Sequence, residues 1–248
     1  MRAILINAGQ GSRLLPLTLH TPKCLVEVNG KSILDHQIEA LHAAGVARIE
    51  VVGGYRAAQI QEHLTRHYDP QQVGLTINPF WSVASSIGSV WAVREHLDEP
   101  FVLVNGDTIF DASVFQQAIH DMRPGVNLVV EPMTAPEHDD MLVQVREGRV
   151  LAVGKQLRAA EATHRSLGIV LSPDHRPGGI YLSALRAVVE AEGGYNAYHH
   201  DVIDQIAHTA TVTAIENHSG LWREVDRPED IERWTRDHNP RTWPRVMP

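Results

Sequence analysis

Residues 3–6 and 101–104 are short, uninterrupted apolar runs, 49–52 is a third broken only by Glu50, and stretches of helical spacing separate each from the next. A strand that is apolar at every position has both faces covered, which is the situation of a sheet with crossover helices on both sides. Ser32 and Asp35 form a capping box ahead of Leu34, Ile38 and Leu41, and Gly45 closes that helix. Further helices are expected at 57–67, 86–97 (with Gly88 inside) and 113–122, and further strands at 75–77 and 127–131. This alternation predicts a single-domain, Rossmann-like, three-layer α/β/α fold with a mostly parallel mixed central sheet.

The second half is less regular. Residues 142–145 and 149–153 read as a hairpin through Glu147-Gly148. A strand at 167–171, helices at 182–191 and 198–208, and strands at 212–215 and 222–225 follow. Pro228 opens a last helix at 229–236. The expected organisation is one domain over residues 1–238 and a Pro- and Arg-rich tail at 239–248.

The chain of 248 residues carries 22 Lys+Arg against 30 Asp+Glu, a formal charge of −8. That balance argues against nonspecific binding to nucleic acid or to a membrane surface, since both need a basic patch. Lys23, Lys31 and Lys155 are its three lysines. The single cysteine, Cys24, excludes a disulfide framework within one chain. The opening residues do not read as a signal peptide and no apolar run approaches membrane-helix length, so a cytoplasmic protein is expected. Nothing in the sequence chooses between a monomer and a homodimer.

Directly after the first apolar run comes Gly9-Gln10-Gly11-Ser12-Arg13-Leu14, continuing to Pro16, Thr18, Pro22 and Lys23. Glycines there let backbone N–H groups approach a phosphate chain closely. Neither the dinucleotide fingerprint nor a Walker A loop fits, because Leu14 stands where a third glycine belongs and no Gly-Lys-Ser/Thr follows. Arg13 and Lys23 flanking an amide cradle suit a triphosphate, although the loop alone equally describes a plain turn with two surface cations.

Taken together, Gly9, Gly11, Arg13, Pro16, Thr18, Pro22 and Lys23 resemble the N-terminal signature of the nucleotidyltransferase family, which includes sugar-1-phosphate nucleotidylyltransferases and bacterial phosphocholine cytidylyltransferases. Asn105-Gly106-Asp107 resembles that family's metal-binding acidic turn, and Asp226, ahead of Pro228-Glu229-Asp230, its second. Asn78-Pro79-Phe80-Trp81, Ser86-Ile87-Gly88-Ser89, Asp140-Met141, Val153-Gly154-Lys155 and Asn196-Ala197-Tyr198 resemble the phosphocholine cytidylyltransferase-like branch.

The resemblance implies a transfer of a nucleoside monophosphate, with CTP the preferred donor, to a small phosphorylated or phosphonate acceptor such as phosphocholine. It assigns Gly9, Gly11 and Ser12 to the triphosphate, Ala8, Asn78 and Gly88 to base and ribose, and Arg13 and Lys23 to catalysis. Asp107 and Asp226 are the expected Mg²⁺ ligands, two hard oxygen donors that triphosphate oxygens and waters would complete. Asp107 also reads as an Asx-turn residue, and Asp226 as a helix N-cap. Lys155, Tyr198 and Trp222 fall on the acceptor side, roughly residues 130–210 forming that portion. Lys155 lies between Gly154 and Gln156, whereas sugar-directed members place a Glu before and a Pro after. A sugar-1-phosphate nucleotidylyltransferase is the competing reading.

Trp81, Trp91, Tyr195, Tyr198 and Trp222 suggest part of a cation–π box or ordinary packing. His63 and His67 stand i,i+4 on a predicted helix without the intervening Glu of a metalloprotease, which describes a solvated face. His199 and His200, adjacent in sequence, are expected to point to different faces.

Overall fold

A computed structural model describes residues 1–137, 139–174 and 179–238; the expected tail at 239–248 lies outside them. In chain order the elements are β1 (Arg2–Asn7), β2 (Glu27–Val28), β3 (Lys31–Ser32), α1 (Ile33–Ala43), β4 (Arg48–Gly53), α2 (Ala57–His67), β5 (Val73–Ile77), α3 (Ser86–Ala92), β6 (Phe101–Asn105), β7 (Thr108–Phe110) and α4 (Ala112–Asp121). There follow β8 (Val126–Pro132), β9 (Leu142–Arg146), β10 (Arg149–Val153), β11 (His164–Ser172), α5 (Ile180–Glu190), α6 (His199–Ala207), β12 (Val212–Glu216), β13 (Trp222–Glu224) and α7 (Pro228–Asp237).

Among the described residues nine strands form one sheet in the order β5-β4-β1-β6-β11-β8-β12-β10-β9. The three apolar runs sit side by side at its parallel end, where β1 lies between β4 and β6. Beyond β6 the sheet departs from the mostly parallel expectation. Strand β11 runs antiparallel to both β6 and β8, and the hairpin β9–β10 closes the far edge. For the hairpin the cause is connectivity: parallel neighbours need a crossover of a dozen or more residues, whereas Glu147-Gly148 turns the chain directly back; β12 returns parallel to β8.

Alternation along β1 explains the two cores. Ala3 and Leu5 pack with Leu34, Ile38, Ile60 and Phe115 from α1, α2 and α4. Ile4 packs with Ile87, Leu182, Val202 and Ile206 from α3, α5 and α6. Helices therefore cover both faces of the sheet. The N-cap half of the expected capping box forms, Ser32 Oγ accepting from the Asp35 N–H at 3.0 Å, but the Asp35 carboxylate takes the Ser32 hydroxyl at 2.7 Å and not the Ser32 N–H.

Three local features went unforeseen. Short 3-10 turns at Ser12–Leu14, Leu17–Leu19 and Lys23–Leu25 shape the glycine loop. Strand β7 pairs antiparallel with β13, which brings the 107 turn against the 226 turn. The helix expected at 86–97 ends at Ala92 and continues as a 3-10 turn, Arg94–Asp98.

Candidate active site

The glycine loop leaves the C-terminal end of β1, where open α/β sheets place their ligand crevice. Gly11 has φ +71°, and a Cβ there would lie 2.8 Å from the Lys23 side chain. The left-handed backbone and the close approach of Lys23 both demand glycine. Thr18 Oγ1 donates to the Gly11 carbonyl at 2.8 Å and ties the far side of the loop back to it.

Strand β6 delivers Asp107 one turn after its end. Gly106 is obligatory there, since a Cβ would fall 2.0 Å from the Ile6 carbonyl oxygen. Gln37 of α1, fully buried, donates its amide to the carbonyls of Asn105 and Thr108, each at 2.7 Å, and so clamps the turn on both sides of Asp107. Across the β7–β13 pair, the Val225 N–H donates to the Asp107 carbonyl at 2.8 Å. Asp226 is not the helix cap that its position suggested. The Asp230 carboxylate accepts from the N–H groups of Asp226 and Arg227 at 3.1 and 2.8 Å, which leaves the Asp226 carboxylate for other partners.

Those partners are the two predicted cations. Lys23 Nζ donates to Asp226 Oδ1 at 2.5 Å and to Asp107 Oδ2 at 3.2 Å. Arg13 pairs with Asp226 Oδ2 at 2.9 Å and with Asp139 Oδ2 at 2.6 Å. Burial alone would lower the Lys23 ammonium; the two carboxylates override it and hold it above its ordinary value. Burial would raise the Asp107 carboxyl, and Lys23 holds it below the usual range instead. Lys23 and Asp107 are thus both charged at neutral pH.

A cavity of about 320 Å³ opens beside them, lined by Ala8, Gly9, Arg13, Asn78, Asp107, Lys155, Tyr198 and Asp226. Eight predicted site residues therefore share one chamber. Lys155 Nζ lies 5.4 Å from the centre of the Tyr198 ring. Gly11, Ser12, Lys23 and Gly88 are not on the chamber wall; Lys23 acts on it through the carboxylates, and Gly88 packs under Asn78, where an added Cβ would lie 3.4 Å from Nδ2. Trp222 lies in a neighbouring cleft of about 560 Å³, with its Nε1 donating to Glu131 at 3.1 Å and Arg165 stacked on its ring at 5.1 Å. The two spaces meet at Asp139, Glu224 and Asp226. Trp91 and Tyr195 line a separate apolar groove, so the five aromatic residues do not converge on one point.

Sequence reasoning missed Glu224, the last residue of β13, between the two aspartates. Burial first, then the charges of Asp107 and Asp226, push its carboxyl up to about 8. It also misjudged His199 and His200. Their ring centres are 4.0 Å apart, both residues are buried, and both line the chamber. His63 is not merely solvated: its Nε2 is 2.8 Å from Asp35 Oδ1. Among the described residues no group of three or more His, Cys, Asp or Glu side chains is arranged to hold a metal. Asp107 and Asp226 nevertheless converge closely enough for one ammonium to touch both, and their oxygens are the donors a small hard cation takes.

Residues 3–147 match the MobA-like NTP transferase domain. The chain is 49% identical over 174 residues to the CTP:phosphoglutamine cytidylyltransferase of Campylobacter jejuni, covering 64% of this chain and 67% of that protein. It is 38% identical over 117 residues to the UTP–glucose-1-phosphate uridylyltransferase of Haloferax volcanii, 46% of each chain. The solved CTP:phosphocholine cytidylyltransferase of Streptococcus pneumoniae shares the fold, with a TM-score of 0.74 at 22% identity over 94% of this chain and 96% of that one. A glycine loop after β1, two facing acidic turns and these likenesses agree: the chain belongs to the MobA-like NTP transferase family.

Proposed function

We propose that the protein is a nucleotidylyltransferase that moves a nucleoside monophosphate, CMP from CTP by preference, onto a small phosphorylated or phosphonate acceptor and releases pyrophosphate. The observation that carries this reading is the Lys23 ammonium held between Asp107 and Asp226 beside a chamber that Gly9 and Arg13 of the glycine loop line. The preference for CTP rests on the similarity to cytidylyltransferases, the stronger of the two relatives described.

In this reading an oxygen of the acceptor's phosphate attacks the α-phosphorus, and the bond to the pyrophosphate oxygen breaks. The nucleophile is already an anion, so positioning and charge neutralisation carry the catalysis. The amides of Gly9, Gly11 and Ser12 cradle the triphosphate; Ala8 and Asn78, supported by Gly88, face base and ribose. Arg13 and Lys23 leave their carboxylate partners for the phosphates. Asp107 and Asp226, with charge to spare once Lys23 turns away, are the residues that would hold Mg²⁺, which neutralises developing phosphate charge when bound. Lys155 and Tyr198 receive the acceptor, Trp222 bounds the cleft it enters from, and residues 130–210 supply most of that side. We take the domain to be one three-layer, Rossmann-like unit over residues 1–238, working in the cytoplasm as a monomer or homodimer. No described helix is long and apolar enough to cross a membrane.

A panel of four nucleoside triphosphates against phosphocholine, a phosphonate and glucose 1-phosphate, read by pyrophosphate release with Mg²⁺, tests the reading. Turnover with CTP and a non-sugar acceptor is expected. Turnover only with glucose 1-phosphate favours the sugar-directed alternative, and no release with any pair rejects both.

A further inference from the structure

His199 has one ring nitrogen accounted for and one that is not. It opens α6 immediately after Tyr198, and it is 2% exposed. Its backbone N–H donates to Ser86 Oγ at 2.9 Å, and its Nδ1 lies 3.4 Å from the same oxygen. A serine oxygen can accept a second hydrogen bond, so the contact allows either tautomer; where the Ser86 hydroxyl donates to Nδ1, the ring proton sits on Nε2, and that tautomer is the one the proposal requires. The neighbouring ring meets a second serine: Ser166 Oγ accepts from the Gly168 N–H at 3.0 Å and lies 2.9 Å from His200 Nε2.

His199 Nε2 is buried and has no hydrogen-bond partner among the described residues. Buried polar groups are mostly paired; of the six buried side-chain atoms left unpaired among the described residues, His199 Nε2 alone belongs to a residue that lines the chamber, which indicates a partner that arrives with the substrate. The ring stands in the chamber wall with Asp107 and Lys155. Burial pushes its pKa down to about 4, more than the Asp107 charge restores, so the ring stays uncharged and offers one proton only.

We propose that His199 is a further contact for the acceptor's phosphate or phosphonate group, donating from Nε2 to an oxygen of the anion that Lys155 receives. This rests on the transferase reading above. A small shift of the ring or the wall uncovers Nε2 as the anion enters. Ser86 is a positioning residue, because it selects the tautomer without touching the acceptor.

The experiment uses the full chain labelled with ¹⁵N at its histidines and inorganic phosphate as the ligand. A protonated Nε2 on His199 in the free protein, with a signal that moves saturably as phosphate is added, is expected. A ring protonated on Nδ1, or an Nε2 signal indifferent to phosphate, overturns the proposal. In turnover with the acceptor found above, His199→Phe should raise the acceptor KM at least tenfold while leaving the KM for the triphosphate within twofold. His199→Gln, whose amide reaches the same place, should recover most of that loss. Ser86→Ala leaves the ring in place and should raise the acceptor KM a few-fold, which serves if His199→Phe fails to fold. An unchanged acceptor KM in folded His199→Phe, or in Ser86→Ala where the first does not fold, also overturns it. Absence of any turnover in the unaltered enzyme defeats the transferase reading instead, and the phosphate titration then judges His199 independently.

Discussion

The Lys23 ammonium and the Asp226 carboxylate meet at 2.5 Å across 203 residues of sequence. Asp107 sits on the other side of the same ammonium, so Lys23 is shared by two carboxylates, of which Asp226 also pairs with Arg13. Lys23→Ala leaves Asp107 without its cation, facing Asp226. Breaking a fully buried pair costs about 3–5 kcal/mol. With the Asp107 side chain 32% exposed, a loss on the order of 1–2 kcal/mol is expected, a drop of several degrees in the melting temperature. Mg²⁺ should recover part of that drop in the variant. Thermal denaturation with and without the metal checks both halves, and a variant blind to Mg²⁺ speaks against Asp107 and Asp226 as its ligands.

Gln37 shows how far from the chamber the site is held in place. Gln37→Leu strips the donor from the carbonyls of Asn105 and Thr108, both bonded at 2.7 Å. Each buried acceptor left bare costs roughly 1–3 kcal/mol. Lower stability together with reduced turnover is expected, because the turn carrying Asp107 loosens. Chemical denaturation and pyrophosphate release on the same preparation separate the two effects.

Gly11→Ala meets two obstacles, the φ of +71° and a Cβ 2.8 Å from the Lys23 side chain. The left-handed backbone alone costs roughly 1–2 kcal/mol for a residue with a Cβ. Turnover should fall further than stability does, since the displaced group is Lys23. Gly148→Ala serves as a control: its φ is also +71°, but no atom stands within 4 Å of the added methyl.

The Asp35 carboxylate provides a pH test of the fold that is independent of the chamber. Burial would raise its pKa, but hydrogen bonds from Ser32, Tyr68 and His63 together hold it below the usual range. A group depressed in the folded state stabilises it above the unfolded pKa of about 3.9, and that contribution disappears as pH falls through the lower folded value. Asp35→Asn should therefore be less stable than the parent at pH 7, with the gap closing below about pH 4. Urea unfolding across pH 2–7 measures it, and a constant gap contradicts the assignment.

How much of this could be read in advance depends on whether the cause was local. The strand at 101–104 and the helix at 57–67 follow from periodicity, and Ser32 with Asp35 marked a helix start that the structure keeps to within a residue. Arg13, Lys23, Asp107 and Asp226 were legible because a glycine loop and two acidic turns are short, contiguous patterns. Their mutual ion pairing was not, because it depends on the β7–β13 pair, three residues long on each side. Gln37 reads in sequence as one more polar position on an amphipathic helix, and only the approach of the 107 turn gives its amide two carbonyls. The His199–His200 pair escaped for the opposite reason. Adjacent residues at a helix start diverge in an ideal helix, but here each ring is turned by a serine from a different element, Ser86 and Ser166.

Lys23, between Asp107 and Asp226, is the cation on which the proposed nucleotidyl transfer depends. Pyrophosphate release from CTP and acceptor, with Mg²⁺, is compared between the parent and folded Lys23→Ala. Turnover is expected to require both substrates and to fall by at least about 10²–10³-fold in the variant. A folded Lys23→Ala protein that keeps most of the parent's rate would contradict that dependence.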